Sequence, residues 1–363
     1  MKYERIWNFN AGPAALPLEV LERVSEKWFN YEGAGMAVIE MSHRSKEFDD
    51  IHNSTIKLGK KLLGIGDDFH LLFLQGGASL QFAMVPMAFL GNGKKADYIN
   101  TGSWSTKAIK EAKLFGEVNV AFDGNEVNFM RLPSQQELKL SNDAEYVHIT
   151  SNNTIKGTQF FDFPETNGIP MVMDMSSDIL SHRIDPGKFG LIFAGAQKNL
   201  GPSGVTLVAI RDDFYKKANT EVTSMLKYKT YVDKNSLYNT PNTFGIYLMG
   251  LVFQWIEAKG GIDEMEAENK AKADLLYGYM DDNSDFYRGP VARDSRSWMN
   301  VCFRLPNENL EKTFITEGRA AGFNGLKGHR SVGGLRVSMY NATPIDAIED
   351  LVKFMSEFVK KNG

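Results

Sequence analysis

The sequence predicts an α/β protein with a mostly parallel sheet and a second, smaller α/β unit. Short apolar runs alternate with helical patterns through the first half of the chain, as in consecutive βα units. The chain has 363 residues, 43% of them hydrophobic, which is more than a single compact core usually holds. A helical pattern stops at Gly260 and Gly261, and we expect the boundary between two domains near this point.

The charge balance argues against several classes of partner. The net charge is −4, with 41 Lys and Arg against 45 Asp and Glu, and no basic stripe suits nucleic acid or an anionic membrane. No stretch approaches the length of a membrane span and no signal peptide is evident, so we expect a cytoplasmic protein. The single cysteine and the scattered histidines predict neither an internal disulfide nor a metal site.

The first half of the chain is predicted as an arm, two helices and a series of strands. Residues 8–17 are turn-rich and predict an ordered arm rather than a strand or helix. A helix can begin at Pro17, and a second helix follows the polar residues 40–47, which include His43 and Arg44. Buried strands are predicted at residues 70–74, 96–100, 146–149, 171–175, 191–194 and 205–210.

Ligands of such sheets gather at the carboxyl ends of the strands, so the residues that follow each run are site candidates. Gly76 and Gly77 follow the first run and open a helix, whose free N–H groups suit a phosphate. This turn matches neither a dinucleotide-binding nor a P-loop sequence. Trp104 follows the second run, in a loop before a helix that Ser105 can cap, and its indole can stack on a planar ring.

The other strand ends carry polar and charged groups. Residues 151–154 form a cluster of hydroxyl and amide groups. Asp174 interrupts the fourth run, and a buried carboxylate is costly unless it faces a cation or caps a backbone. Small residues surround Lys198 after the fifth run, so its amine can be desolvated and its pKa lowered toward imine-forming chemistry. A lysine, an aspartate, an aromatic ring and a phosphate-type turn are the set that pyridoxal 5′-phosphate requires.

The second half predicts a long polar loop at residues 227–242 and a smaller α/β unit with a cationic cluster at residues 328–336. Arg336 is a candidate for a substrate α-carboxylate, because its planar guanidinium suits carboxylates. The alternative for cationic side chains of this kind is a structural salt bridge. The candidates for binding the distal anion of the substrate are His43, Arg44, His329 and Arg330. The remaining elements are predicted as helices at residues 246–259, 310–321 and 345–359, another helix ending at residue 280, and strands at residues 298–304 and 335–339.

With these motifs the chain resembles the phosphoserine aminotransferases, which are class V, fold-type I enzymes that use pyridoxal 5′-phosphate. The resemblance implies a large domain with a mostly parallel seven-stranded sheet flanked by helices, plus a smaller α/β C-terminal domain. We predict a large domain at residues 16–262 and a small domain formed by residues 1–15 and 263–363. The resemblance covers essentially the whole chain and is carried by residues 9–17, 42–48, 76–79, 194–202, 238–241 and 328–342.

The resemblance also implies a role for each strand-end residue. Lys198 carries the cofactor as a Schiff base, Asp174 pairs with the ring nitrogen, and Trp104 stacks on the ring. Some relatives carry an arginine at the position of Ser79, which leaves the charge at the phosphate site open. The other implied cofactor contacts are Thr154 at the ring hydroxyl, Ala78, Ser79 and Gln197 at the phosphate, and Asn239 and Thr240 from the second subunit of a homodimer.

The implied activity is a ping-pong transamination from L-glutamate to 3-phosphohydroxypyruvate, which gives O-phospho-L-serine and 2-oxoglutarate in serine biosynthesis. The two anions of each substrate suit the two cationic clusters. A role in the phosphohydroxythreonine step of pyridoxine biosynthesis stays open. The alternatives are another aminotransferase of the alanine or serine–glyoxylate type, a cysteine desulfurase, for which Cys302 is predicted to be too buried, and a non-catalytic protein that binds a phosphometabolite.

Overall fold

The structure is a computed structural model that describes residues 2–363. Its strands are β1 (Trp7–Asn8), β2 (Phe69–Leu74), β3 (Lys95–Asn100), β4 (Glu117–Asp123), β5 (Val147–Thr150), β6 (Met171–Asp174), β7 (Phe189–Gly195), β8 (Thr206–Arg211), β9 (Asn300–Phe303), β10 (Phe323–Asn324) and β11 (Leu335–Ser338). Its α-helices are α1 (Leu18–Glu26), α2 (Lys46–Leu63), α3 (Gly77–Phe89), α4 (Ser103–Ala112), α5 (Asp212–Tyr215), α6 (Tyr228–Asp233), α7 (Thr243–Ala258), α8 (Ile262–Asp282), α9 (Glu308–Ala320) and α10 (Ile345–Asn362).

The central sheet confirms the predicted α/β fold. Its strand order is β2-β8-β7-β6-β5-β3-β4. Within the described residues, β8 is the one strand of this sheet that runs antiparallel to its neighbours, and the other pairings are parallel. β2 pairs only with β8 here, yet it points the same way as β7. The carboxyl ends of β2, β3, β5, β6 and β7 therefore meet at one edge, which places their following residues together.

Two local predictions in this sheet need correction. The edge strand β4 was not predicted, although Val118 and Val120 alternate with the polar residues Glu117 and Asn119. Trp104 lies in the first turn of α4 rather than in a loop, and Ser105 is not its N-cap. The Ser105 hydroxyl instead accepts hydrogen bonds from the backbone N–H groups of residues 101 and 102, each at 2.9 Å. The reason is that the helix begins at Ser103, three residues earlier than a Ser105 cap would place it.

Helices cover both faces of the sheet. One face packs against α1, α2 and α7, and the other packs against α3, α4 and α6. α2 begins at the capping hydroxyl of Ser45, which accepts from the Phe48 N–H at 3.2 Å, and ends at Gly64 with φ of 67°. α2 also carries Gly59 against the sheet, where an added Cβ would lie 2.7 Å from Leu71 Cδ2 and 2.9 Å from Phe253 Cε2. Glycine is therefore required by this close packing.

A separate apolar core lies outside the central sheet. The antiparallel pair β9 and β11 and the parallel pair β1 and β10 pack with α8, α9 and α10. Phe9, fully buried, brings the N-terminal arm into this core. Asn8 belongs to β1, so the first residue of the predicted arm is a strand residue. The division of the chain into two domains at the stated bounds stays a prediction.

Among residues 2–363, no helix combines the length and apolar content needed to cross a membrane.

Substituting Gly59 by valine is expected to lower the free energy of unfolding by about 1–3 kcal/mol, because the side chain overfills the contact between α2, the sheet and α7. Gly278→Val is the matched control, since Gly278 also lies in a helix but has open space around its Cβ position. The midpoint of thermal unfolding measures both. Equal shifts in the two variants would show that helix propensity, rather than packing, governs the effect.

Candidate active site

A cleft with a cavity volume of about 100 Å³ lies at the carboxyl edge of the central sheet. The sequence analysis did not single out Phe82, Thr150, Ser176 or Ser177, which also line the cleft. Thr150, Ser176 and Ser177 lie at or directly after a strand end, and Phe82 lies on α3. The predicted cofactor residues that line the cleft are Ala78, Ser79, Trp104, Thr154, Asp174, Gln197 and Lys198. The fold therefore brings together side chains that are up to 120 positions apart in the sequence, from Ala78 to Lys198.

Lys198 lies on the wall of this cleft, just after β7. Its Nζ donates a hydrogen bond of 2.7 Å to Thr154 Oγ1 and lies 5.9 Å from the centre of the Trp104 ring. Burial lowers the pKa of the Lys198 amine to about 8, although the negative charges of Asp174 and Asp178 oppose that shift. An appreciable fraction of the amine is therefore uncharged near neutral pH, which is the nucleophilic form.

Asp174 ends β6 and is paired in register with Thr150 on β5 and Phe193 on β7. Its Oδ1 accepts hydrogen bonds from the Ser176 N–H at 3.0 Å and from the Ser176 hydroxyl at 2.6 Å. Burial raises the pKa of the Asp174 carboxyl, while these hydrogen bonds and the charge of Lys198 lower it. Asp174 therefore caps a backbone and faces a cation, the two alternatives expected for a buried carboxylate.

Asp178 is a second buried carboxyl group beneath the cleft that the sequence reasoning missed. It accepts hydrogen bonds from the Ser151 hydroxyl and from Gln159 Nε2. Burial raises the pKa of Asp178 to about 7, and the charge of Asp174 adds to the rise. Its position four residues after Asp174, in a run of small polar residues, is the available sequence signal.

The residues of the cleft fit pyridoxal 5′-phosphate. α3 begins at the cleft wall without a side-chain cap, so its first N–H groups are free to bind a phosphate. Within residues 2–363, Trp104 Nε1 and Thr150 Oγ1 are buried without a hydrogen-bond partner, and both residues line the cleft. An enclosed amine, a buried carboxylate, an aromatic ring and unpaired donors match the aldehyde, ring nitrogen, ring face and phosphate of that cofactor.

The Arg336 side chain, on β11, contacts Thr154 in the wall of the cleft. It is 9% exposed, and its Nη1 donates a hydrogen bond of 3.1 Å to the carbonyl oxygen of Thr154. Its Nε is buried and has no partner within the described part of the chain. The pKa of His329 is lowered by burial and then by the positive charges of Arg336, Arg330 and Lys107. The predicted residues of the second cationic cluster are therefore close to one another, and Arg336 among them contacts the cleft wall.

Within residues 2–363, seven predicted site residues do not line the cleft of their own chain: His43, Arg44, Asn239, Thr240, His329, Arg330 and Arg336. Gln75 Nε2 donates to the carbonyl oxygen of Thr240 at 3.3 Å, which ties that loop to the start of α3. Of these seven, His43, Arg44, Asn239 and Thr240 lie at the surface of one chain or are partly exposed.

The Cys302 thiol lacks the surroundings of a reactive group. Burial raises the pKa of this thiol to about 11, and its Sγ donates to the carbonyl oxygen of Ile155 at 3.4 Å. A thiol that stays protonated is a poor nucleophile, which argues against a cysteine desulfurase. The described residues contain no group of three or more His, Cys, Asp or Glu side chains placed to hold a metal ion.

Comparisons with known proteins show the family of the chain. The aminotransferase class-V family matches residues 6–351. The phosphoserine aminotransferase of Desulfosudis oleivorans is 58% identical over 362 residues, with 99% of each chain covered. The structure of phosphoserine aminotransferase from Bacillus circulans subsp. alkalophilus is 52% identical, has a TM-score of 0.97 and is matched over 99% of this chain and 100% of its own. A phosphoserine aminotransferase from Trichomonas vaginalis with bound pyridoxal 5′-phosphate is 39% identical, with a TM-score of 0.92 over 97% of this chain and 100% of its own.

The fold and the cleft define a fold-type I, pyridoxal 5′-phosphate-dependent aminotransferase of class V. Within that class, the chain belongs to the phosphoserine aminotransferase family.

Replacing Lys198 with methionine is expected to stabilise the cofactor-free protein at pH 7. The folded pKa of Lys198 is about 8 against an ordinary value of 10.5, so above pH 8 the unfolded chain binds more protons and the stability of the wild-type protein rises with pH. The advantage of the variant is on the order of 2 kcal/mol at pH 7, since one pKa unit corresponds to about 1.4 kcal/mol and partial exposure reduces the effect.

Chemical denaturation of the cofactor-free protein between pH 7 and pH 10.5 measures this difference. It should shrink as the pH rises through about 8, whereas an exposed-lysine control, Lys110→Met, should show no such trend. A difference between Lys198→Met and the wild-type protein that is constant over this pH range would contradict a buried, charge-destabilised amine.

Proposed function

We propose that the chain transfers the amino group of L-glutamate to 3-phosphohydroxypyruvate and so produces O-phospho-L-serine and 2-oxoglutarate. The observation that carries the proposal is the enclosed Lys198 amine beside the buried Asp174, in a cleft that Arg336 joins. The near full-length identity to phosphoserine aminotransferases supports the choice of substrates.

Each cleft residue has a definite task in this reaction. When bound, pyridoxal 5′-phosphate supplies an electron sink for the bond broken at the substrate α-carbon. Lys198 holds the cofactor, and after its release Nζ moves the proton at the substrate α-carbon. Asp174 keeps a positive charge on the ring nitrogen, because a buried carboxylate interacts strongly with a nearby cation. Trp104 holds the ring by stacking.

The remaining predicted contacts anchor the two ends of the ligands. Thr154 binds the ring hydroxyl of the cofactor. The hydrogen bond between Thr154 Oγ1 and Lys198 Nζ already holds the Thr154 side chain near the reacting atoms. Arg336 binds the substrate α-carboxylate through its unpaired side of the guanidinium. The distal anion binds to His43, Arg44, His329 and Arg330, and the cofactor phosphate to Ala78, Ser79, Gln197, Asn239 and Thr240.

The visible absorption of the purified enzyme tests the reaction. We expect L-glutamate to bleach the band of the lysine-bound cofactor and 3-phosphohydroxypyruvate to restore it, since the two ligands share one pocket. Lys198→Ala should retain less than about 1% of wild-type turnover, because both cofactor attachment and proton transfer are lost. Pyruvate and glyoxylate are the controls. Restoration of the band by pyruvate or glyoxylate, but not by the phosphorylated keto acid, would move the function to another aminotransferase.

The chain is also proposed to act as a homodimer with shared active sites. Phe29 and Ile39 are 85% and 58% exposed, and apolar side chains clustered at a surface mark interaction sites. This surface is continuous with the polar loop before α7, because the Trp28 and Phe244 rings are 5.6 Å apart. A second copy docked here would cover the apolar side chains.

The same surface borders the residues that are missing from their own cleft. His43 and Arg44 follow Ile39 closely, and Asn239 and Thr240 precede Phe244 by a few residues. Docking of a second copy on this surface would bring these four residues toward a neighbour's cleft. One arrangement with two-fold symmetry therefore accounts both for the exposed apolar patch and for the four polar residues that lie outside the cleft of their own chain.

Mixing two inactive variants tests this sharing of sites. If Arg44 serves the neighbouring cleft, dimers formed from Lys198→Ala and Arg44→Ala chains contain one intact site, and random mixing should recover about a quarter of wild-type activity. Lys198→Ala mixed with Arg336→Ala is the control, because Arg336 contacts the cleft of its own chain, and no recovery is expected. Absence of recovery in the first mixture would place Arg44 in the cleft of its own subunit.

A cytoplasmic location, the domain bounds given above and a role in pyridoxine biosynthesis stay predictions.

A further inference from the structure

Lys107 lies beside the cleft and has no assigned role. It is exposed on α4, one turn beyond Trp104, and its Nζ lies 4.2 Å from the centre of the Trp104 ring. A cation at this distance from an indole face is attracted to it. Because Trp104 itself lines the cleft, the ring holds the ammonium group of Lys107 at the edge of the cleft.

Other cations converge on the same edge. Burial, and then the positive charges of Arg336, Arg330 and Lys107, lower the pKa of His329, so these three cations lie near its ring. Within residues 2–363, no carboxylate forms a salt bridge with Lys107, Arg330 or Arg336. Unbalanced like charges repel one another, so this edge is arranged for an anion from solution.

The His329 ring is oriented to take part. Its Nδ1 accepts a hydrogen bond from the Ser331 backbone N–H at 3.2 Å and also pairs with the Ser331 hydroxyl at 2.7 Å. Nδ1 is therefore the acceptor nitrogen of the neutral ring, and Nε2 carries the proton. His329 can donate this N–H to an anion whether or not the ring is charged.

We propose that Lys107 is a specificity-determining residue that, held on the Trp104 ring, binds the distal anion of the substrate together with His329 and Arg330. This inference rests on the proposed function for the identity of the two substrates. A single positive charge attracts a phosphate dianion about twice as strongly as a carboxylate at the same distance. Lys107 therefore favours the phosphorylated substrate over glutamate, although both use the same pocket.

The test compares two amino donors of the holoenzyme, O-phospho-L-serine and L-glutamate, in the half-reaction that bleaches the cofactor band. Lys107→Met should raise the apparent Kd about 10-fold for O-phospho-L-serine and about 3-fold for L-glutamate, while the limiting rates change little; these factors follow from the strength of a surface ion pair, doubled for the dianion. Added salt should reduce both effects.

Two further variants serve as controls. Lys107→Arg should keep the discrimination, because it preserves the charge over the ring. Lys110→Met removes the same charge one turn further along α4 and should leave both Kd values near those of the wild-type enzyme. Equal fold changes for the two donors, an unchanged Kd for O-phospho-L-serine, or the same effect from Lys110→Met would each overturn the assignment of Lys107.

The failure of the proposed function can be distinguished from the failure of this inference. If O-phospho-L-serine does not convert the wild-type holoenzyme, the proposed substrate is wrong. Inorganic phosphate as a competitive inhibitor of the glutamate half-reaction then tests Lys107 independently. Weaker inhibition of Lys107→Met than of Lys110→Met would support the anion site, and equal inhibition of the two variants would overturn it.

Discussion

The burial of the Lys198 amine beside the Asp174 carboxylate is the interaction on which the rest of the site depends. Removing either ion from water alone is costly, so each needs the other and a hydrogen-bond partner. Thr154 supplies one for the amine and Ser176 supplies two for the carboxylate. The parallel direction of β5, β6 and β7 makes this possible, because it ends all three strands at one edge.

A buried polar network connects this edge to the smaller α/β unit. Asn152, which lines the cleft, donates through Nδ2 to Asn300 Oδ1 at 2.7 Å. Asn300 on β9 in turn donates to the Ser338 hydroxyl on β11 at 3.0 Å. Arg336 lies two residues before Ser338 and bonds to the carbonyl oxygen of Thr154. The strand that carries this arginine is thus fixed to the cleft at two places, which sets the distance between Lys198 and the arginine.

The main strands and the strand-end residues could be predicted because each depends on local sequence. The buried runs before Asp174 and Lys198 specify strands by composition, and the residue after a parallel strand has a fixed location. β4 was missed because an edge strand is only half buried and carries a weaker apolar signal. The start of α4 was misjudged because Ser105 forms its hydrogen bonds backward to residues 101 and 102, a choice that depends on contacts beyond its own helix.

The sequence by itself determined the order of the elements, the carboxyl edge as the site, and Lys198 with Asp174 as its central pair, since strand polarity follows from the alternation of strands and helices. Only the tertiary structure decided which cations share a surface. Arg336 bonds to Thr154 in the cleft wall, whereas His43 and Arg44 do not line the cleft of their own chain within the described residues. Spacing along the chain cannot settle this, because the distance between loops on different elements is set by packing of the whole fold.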